Sequence, residues 1–193
     1  MIEGILKDAE HRMDQALIHT KIELGKVRTG RANPELLDSI QVSYYGTLTP
    51  LNQVGNISVP NPQMISILPY EKALIPDIEK AILESNIGLT PSNNGNAVIV
   101  PIPQLSEDRR KELIRYVHDL VEEGRVSVRN VRKDANHQLK VLQTGENISE
   151  DEIRRAENDI QTMTDRHINE LKTVQEQKEK EIMWNSTGQL LQL

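Results

Sequence analysis

The sequence predicts an α+β fold, in which a small α/β domain rich in β-strands is inserted into a long three-helix bundle. Three long segments place apolar residues at every third or fourth position, as amphipathic helices do. Between residues 31 and 105 that spacing largely disappears, and this segment contains all nine prolines. The chain has no Phe, one Trp and four Tyr, so its core is aliphatic, which favours packing of helix on helix. We therefore assign residues 1–30 and 106–193 to the bundle and residues 31–105 to the inserted domain.

The first bundle helix is predicted from residue 2 to about residue 28. Its apolar positions are spaced by 4-3-4-3-4-4-3 residues, which is close to a heptad repeat. These positions are Ile2, Leu6, Ala9, Met13, Ala16, Thr20, Leu24 and Val27. A helix of about 40 Å with one apolar stripe needs partners that its neighbours in sequence do not provide.

The inserted domain follows a break in the helical pattern at Gly30 and Pro34. Short β-type runs occupy residues 40–44, 54–59, 64–68 and 97–101, and one short helix is predicted from about residue 75 to residue 85. Turns are predicted at Tyr45-Gly46 and over residues 93–96.

The second and third bundle helices occupy the rest of the chain. The second is predicted from Ser106 to Gly145, with glycine as the residue that ends it. The third begins after Ser149, which forms a capping box with Glu152, and runs to about Trp184. The seam of the second helix is Leu113, Val117, Leu120, Gly124, Val128, Val131, Ala135, Leu139 and Leu142, and that of the third is Ile153, Ala156, Ile160, Met163, Leu171, Val174 and Ile182.

A row of basic residues lies beside the seam of the second helix. Arg125, Arg129 and Arg132 repeat at helical spacing and Lys133 follows them; we call these four residues the arginine ridge. Residues 124–140 hold five basic residues against one acid, in a chain whose net charge is −6. Because the fork of a guanidinium group suits phosphate, this concentration of arginine predicts an anion-binding surface.

The two segments that connect the inserted domain to the bundle are predicted to lie close together at one end of the bundle. They form the only covalent connection, which predicts a compact head that can pivot on an elongated body. The predicted hinge residues are Gly30, Arg31, Ala32, Asn33, Pro101, Pro103 and Gln104. The simpler interpretation is that the glycine and prolines only break helices at a domain boundary.

Composition also bears on compartment and assembly. The chain has no cysteine, which excludes disulfides and thiolate metal sites and fits a reducing compartment. The first residues are too acidic for a secretory or transit peptide, and no apolar run has the length of a membrane span. We therefore expect a cytoplasmic protein with no membrane partner. Three mutually buried seams leave no stripe for a dimer, so we expect a monomer.

Several motifs resemble the ribosome recycling factor family, in matching order and spacing as far as about Trp184. They are Arg28-Thr-Gly-Arg-Ala32, Leu37-Asp38, Tyr44-Tyr-Gly-Thr47, Glu79-Lys-Ala-Ile82, Gly88-Leu89 and the run from Arg125 to Ala135. The resemblance implies an L-shaped, two-domain architecture similar to tRNA in outline. It also implies a function: binding to the ribosome after termination and, with elongation factor G and GTP hydrolysed by that partner, splitting of the ribosome into subunits.

The resemblance gives the arginine ridge a task, which is contact with ribosomal RNA of the large subunit. Arg28 and Arg31 would extend this basic surface. Such binding reads phosphates and RNA shape, so we expect salt sensitivity and no role for DNA. The alternative is that the arginines are solvated or pair with acids of the third helix. Tyr44, Tyr45 and Gly46 are candidates to face elongation factor G, although the tyrosines are equally interpreted as ordinary strand packing.

Two other classes of function are alternatives. The Asp-x-x-His pairs Asp8/His11 and Asp134/His137 are similar to the carboxylate–histidine metal ligands of some helical bundles. Such sites usually take Glu-x-x-His twice plus two further Glu from facing helices, and only three long helices are available here. No phosphate-binding glycine loop or nucleophile motif is present, so we predict no catalytic residue, metal or cofactor. A coiled-coil adaptor that binds other helices is the second alternative.

The segment from Asn185 to Leu193 departs from the family pattern, which ends near Trp184. Its origin and role stay open between a natural extension, a vector-derived tail and a regulatory flap.

Overall fold

A computed structural model describes residues 1–146 and 148–183 of the chain. The predicted helix end at Trp184 and the segment from Asn185 to Leu193 lie outside the described residues. The chain divides into two compact units, one formed by Met1–Thr29 with Glu107–Met183 and the other by Gly30–Ser106. In chain order the helices and strands are α1 (Ile2–Gly25), β1 (Gln41–Tyr44), β2 (Thr47–Pro50), α2 (Leu51–Val54), β3 (Gly55–Asn61), β4 (Met64–Pro69), α3 (Ile75–Glu84), β5 (Ser92–Asn93), β6 (Val98–Pro101), α4 (Glu107–Glu146) and α5 (Glu150–Met183), with short 3₁₀ helices at Pro34–Leu37 and Lys72–Leu74.

The first unit is a three-helix bundle, in which α1, α4 and α5 each pack against the other two. Its core is aliphatic, as the composition predicts, and the predicted fold class is confirmed. No helix among the described residues is long and apolar enough to cross a lipid bilayer.

The apolar seams differ from the prediction at single positions. Leu17 rather than Ala16 is buried on α1, and Val121 rather than Leu120 on α4. An α-helix drifts against a strict seven-residue repeat, so the buried position changes to the next residue over several turns. On α5 the buried positions Thr164 and His167 carry polar side chains, which an apolar pattern cannot identify.

Two predicted helix ends are wrong. The first helix ends at Gly25 rather than near residue 28. The amides of Lys26 and Val27 donate to carbonyls three residues earlier, which is the hydrogen-bond pattern of a 3₁₀ turn and not of an α-helix. Gly145 does not end α4, which continues to Glu146, because a glycine also adopts helical angles.

The start of α5 is confirmed as a capping box. The amide of Glu152 donates to Ser149 Oγ (3.3 Å), and the Ser149 amide and hydroxyl both donate to Glu152 Oε2, at 3.3 and 2.8 Å. Both residues therefore satisfy amide groups that the first helical turn leaves unpaired.

The second unit contains two antiparallel sheets. Strands β1 and β2 form a hairpin, and the larger sheet has the order β3-β4-β6-β5. The predicted turn between β1 and β2 is confirmed: Tyr45 and Gly46 have φ angles of 47° and 79°, both in the left-handed region. The short elements β2, α2 and β5 were not predicted. The buried core of the second unit consists of Leu37, Ile40, Val42, Leu51, Val54, Ile65, Ile67, Leu74, Ile75, Ile78, Ile82, Val98, Val100 and Ile102.

Candidate nucleic-acid interface

The arginines of the ridge lie along one edge of α4. Each directly follows a buried seam residue, and a step of one residue is about 100° around a helix. Arg125, Arg129 and Arg132 are therefore half-buried beside the seam, whereas Lys133 is exposed. In this position the aliphatic stem of an arginine packs along the helix while its charged head reaches water.

Glu122 holds two of the three guanidinium groups. Its Oε1 accepts from Arg129 Nη1 at 2.8 Å, and its Oε2 accepts from Arg125 Nη1 at 3.3 Å. The hydrogen bond from Arg129, and after it that from Arg125, lowers the pKa of the Glu122 carboxyl. A carboxylate one turn before Arg125 thus fixes both side chains and partly offsets their charge.

The contacts of the ridge with α5 are to neutral amides. Arg125 Nη2 donates to Gln175 Oε1 at 2.9 Å, and Arg132 Nη1 donates to Gln161 Oε1 at 3.1 Å. Within the described ranges no acid of α5 forms an ion pair with Arg125, Arg129 or Arg132. The arginines therefore do not pair with acids of the third helix.

The acid that follows the ridge in sequence is engaged elsewhere. Asp134 Oδ2 accepts from Arg12 Nη2 of α1 at 2.8 Å, and this hydrogen bond raises the pKa of the Arg12 guanidinium. Lys133 forms no ion pair with any described residue. Among the described residues only Glu122 is ion-paired with the ridge, so the edge keeps an excess of positive charge.

Arg28 and Arg31 do not lie on α4, the helix that carries the ridge. Arg28 is exposed in the bundle unit, three residues after α1 ends. Arg31 is half-buried in the other unit. Four of the six predicted basic site residues therefore lie on one helix.

The predicted hinge residues lie where the two connecting segments meet. Gly30 has a φ of +72°, and a Cβ atom there would lie 2.8 Å from Leu105 Cγ. The amides of Ala32 and Ile102 donate to the carbonyls of the adjacent residues Pro62 and Gln63, at 2.7 and 2.8 Å. Both segments are thus tied to one turn of the sheet, and their predicted proximity is confirmed.

The two tyrosines of the β1–β2 turn share one acidic partner. Tyr44 Oη donates to Glu71 Oε1 at 2.9 Å, and Tyr45 Oη donates to Oε2 at 3.3 Å. The bond to Glu71 also raises the pKa of the Tyr44 hydroxyl. Tyr44 packs against the core of its unit, as the strand-packing interpretation expects, whereas Tyr45 is 84% exposed.

The carboxylates of the suggested metal pairs contact an arginine. Asp8 and Asp134 both lie within ion-pair distance of Arg12, at 3.6 and 2.8 Å. His11 and His137 are exposed. The described part of the chain contains no group of three or more His, Asp or Glu side chains placed to hold a metal ion.

Three residues that contact the ridge were not predicted from the sequence. Glu122 was detectable, because it precedes Arg125 and Arg129 by three and seven residues on the same helix. Gln161 and Gln175 carried no such signal, since their distance from the arginines depends on how α4 and α5 align.

The observed features define a class of α+β proteins in which a small antiparallel sheet unit interrupts a three-helix bundle. The model of the family described as "Ribosome recycling factor" matches residues 20–183. The ribosome-recycling factor of Natranaerobius thermophilus is 49% identical over 181 residues, covering 94% of this chain and 98% of that protein. That of Bacillus subtilis is 48% identical over 183 residues, covering 95% and 99%. This chain belongs to the ribosome recycling factor family.

Solved structures agree with this assignment. A solution structure of a ribosome recycling factor has 43% sequence identity and a TM-score of 0.72, covering 94% of this chain and 97% of the other. A second match, with 41% identity and a TM-score of 0.63, comes from models of the T. thermophilus ribosome recycling factor and E. coli elongation factor G bound to the E. coli post-termination complex; it covers 94% and 98% of the two chains.

Proposed function

We propose that the protein binds the ribosome after termination and, with elongation factor G and GTP, promotes its dissociation into subunits for a new round of translation. Family membership over nearly the whole chain supports this function. So does the relative that has been placed with elongation factor G on a post-termination complex.

The bundle unit is the ribosome-binding part in this proposal, and the observation that carries it is the charge of the arginine ridge. The ridge carries three guanidinium groups and one ammonium group, and among the described residues Glu122 is the one carboxylate ion-paired with it. The α5 side chains that bond to Arg125 and Arg132 are neutral amides. The groups are held in a row on a rigid helix, which suits the regularly spaced phosphates of folded RNA. The RNA is that of the large subunit, and Arg28 and Arg31 add to the basic surface.

The inserted unit acts as a lever that elongation factor G moves. Gly30 and the following residues to Asn33, with Pro101, Pro103 and Gln104, form the hinge. The exposed ring of Tyr45 in the turn with Tyr44 and Gly46 offers elongation factor G an aromatic contact, of the kind common in protein interfaces. The protein itself is not an enzyme: it acts in the cytoplasm without a metal or cofactor, and elongation factor G hydrolyses the GTP.

Subunit splitting tests the function directly. Post-termination ribosomes are incubated with the purified protein, elongation factor G and GTP, and free subunits are quantified by sedimentation. We expect splitting only when all three components are present. Splitting without the protein, or none with a matched elongation factor G, would contradict the proposal.

Charge reversal tests the role of the ridge. Arg132→Glu should weaken binding to the large subunit by about tenfold or more, because one phosphate contact is replaced by repulsion. Arg155→Glu is the matched control, since Arg155 is exposed on α5, has no ion pair among the described residues and gives the same change in net charge. Equal affinities of the two variants would remove the ridge from the interface.

A further inference from the structure

Gln161 of α5 forms a hydrogen bond with Arg132, and Asp165 forms a hydrogen bond with Gln161. Gln161 Oε1 accepts from Arg132 Nη1 at 3.1 Å, while Gln161 Nε2 donates to Asp165 Oδ1 at 2.8 Å, one turn further along α5. The acid fixes which end of the amide faces α4. Its oxygen is presented to the guanidinium group and its nitrogen to the carboxylate.

The same arrangement recurs at Arg125. Gln175 Oε1 accepts from Arg125 Nη2 at 2.9 Å, and Gln175 Nε2 donates to Glu179 Oε1 at 2.8 Å. Glu179 Oε1 also lies 2.5 Å from His118 Nε2 of α4. Two arginines of the ridge are thus held by a glutamine whose amide is oriented by an acid four residues later.

The chemical identity of these two residues matters because α5 is rich in acids. Eleven acidic residues lie from Glu146 to the end of the chain, yet both side chains that touch the ridge are amides. An amide fixes a guanidinium group by one hydrogen bond and leaves its full charge. A carboxylate at the same place would form an ion pair, and phosphate would then have to compete with it.

We propose that Gln161 and Gln175 are positioning residues for ribosome binding: they orient Arg132 and Arg125 without adding an ion pair, so that Arg132 keeps its full charge for RNA phosphates and Arg125 is offset, among the described residues, only by Glu122. This inference rests on the proposed contact between the ridge and ribosomal RNA. In this proposal, part of the affinity that the arginines supply depends on Gln161 and Gln175 being uncharged.

The test is Gln161→Glu, which keeps the shape of the side chain and adds one negative charge. We expect large-subunit affinity to fall about tenfold, as for the loss of one charge-assisted hydrogen bond, and the slope of log affinity against log salt to become shallower by about one. The melting temperature should change little, because the new ion pair with Arg132 is offset by repulsion between the introduced carboxylate and Asp165, which loses the hydrogen bond from Nε2.

Gln177→Glu is the matched control. Gln177 is exposed on α5 and lies about 200° around the helix from Gln175, so it adds the same charge away from the ridge. Its affinity should equal that of the unchanged protein. Gln175→Glu repeats the test at Arg125 and replaces Gln161→Glu if that variant does not fold.

Arg132→Ala separates this inference from the function on which it rests. In the Arg132→Ala background, Gln161→Glu should have no further effect, because it acts through that arginine. If Arg132→Ala weakens binding but Gln161→Glu binds like Gln177→Glu, the positioning role is wrong and the ridge contact stands. If Arg132→Ala itself leaves affinity unchanged, the ridge contact is wrong, and the positioning role with it.

Discussion

The hydroxyl of Thr20 on α1 occupies the space that a side chain at Gly124 on α4 would need. Thr20 Oγ1 donates to the carbonyl of Ala16 at 2.9 Å and would overlap a Cβ atom at Gly124. On another side, Leu171 Cδ2 of α5 would be 3.3 Å from a Cβ atom at this glycine. The three helices therefore pack so closely at Gly124 that a side chain there would overlap Thr20.

Gly124→Ala should destabilise the bundle because its methyl group would overlap Thr20 Oγ1. We expect a loss of about 1–3 kcal/mol in the free energy of unfolding, typical of overpacking in a core. Urea unfolding followed by circular dichroism at 222 nm, which reports the helices, measures it.

Thr20→Ala should rescue most of that loss, since it removes the overlapping atom and leaves Thr20 Cβ at an acceptable 3.4 Å. A double-mutant cycle over the two sites gives the coupling. Independent, additive effects would show that the close approach is not what requires glycine.

A side chain at Gly30 would also overlap a neighbour, Leu105, but removing that neighbour should not restore all of the lost stability. The φ of +72° at Gly30 is unfavourable for any residue with a Cβ atom, by about 1–2 kcal/mol, and the Leu105 side chain adds a steric overlap. Gly30→Ala should therefore destabilise the connecting segment, and Leu105→Ala should restore only the steric part. Hydrogen exchange of the amides of Ala32 and Ile102 measures local opening there. Complete rescue by Leu105→Ala would contradict backbone strain.

Asp14, exposed on α1, forms a polar contact with the buried His167 of α5. His167 is 1% exposed; its Nδ1 lies 2.7 Å from the Met163 carbonyl and its Nε2 lies 2.7 Å from Asp14 Oδ1. Asp14→Ala leaves a buried ring nitrogen without its protein partner and should lower the unfolding free energy by about 1–3 kcal/mol. Asp14→Asn retains an acceptor oxygen and should cost less. Equal losses in urea unfolding would show that the hydrogen bond is not the cause.

The sequence predicts what depends on neighbours along one helix. The seams, the Ser149/Glu152 capping box and the spacing of the ridge all follow from residues a few positions apart, where helix geometry alone fixes proximity. His167 escaped prediction because an apolar pattern does not reveal that a polar residue is buried opposite Asp14.

The remaining features depend on alignment between distant segments. Gln161 and Gln175 touch the ridge because α4 and α5 align as they do, and periodicity determines which face of a helix is buried but not how far one helix slides along another. Glu71 joins Tyr44 and Tyr45 across 26 residues or more for the same reason. Such contacts are set by tertiary structure and not by the local sequence.

Glu122 gives a pH-dependent contribution to stability. Its hydrogen bonds to Arg129 and Arg125 lower its pKa in the folded state below the ordinary value of 4.5, so the folded state binds the proton less readily than the unfolded chain. The contribution is present above about pH 4.5 and is lost as the pH falls through the lowered value. Because the side chain is 50% exposed, we expect only about 0.5 kcal/mol.

Glu122→Gln should therefore lower stability slightly at pH 7 and flatten its decline below pH 4.5, measured by urea unfolding across that range. Glu123→Gln, at an exposed neighbour without an ion pair in the described chain, is the control. If the stability of Glu122→Gln falls as steeply below pH 4.5 as that of Glu123→Gln, then Glu122 is not the source of the pH dependence.

Tyr45 allows the proposed contact with elongation factor G to be tested at an exposed side chain. It occupies a left-handed turn position before Gly46, where Asn-Gly is a preferred pair, so Tyr45→Asn removes the exposed ring and preserves the turn. If the ring contacts elongation factor G, the factor concentration needed for half-maximal splitting should rise about tenfold, as for the loss of an aromatic anchor. Large-subunit affinity should stay unchanged, and saturating factor should restore the rate. Tyr70→Asn, at a tyrosine that is 71% exposed, is the control. Equal shifts for both variants, or weaker ribosome binding by Tyr45→Asn alone, would place the contact elsewhere.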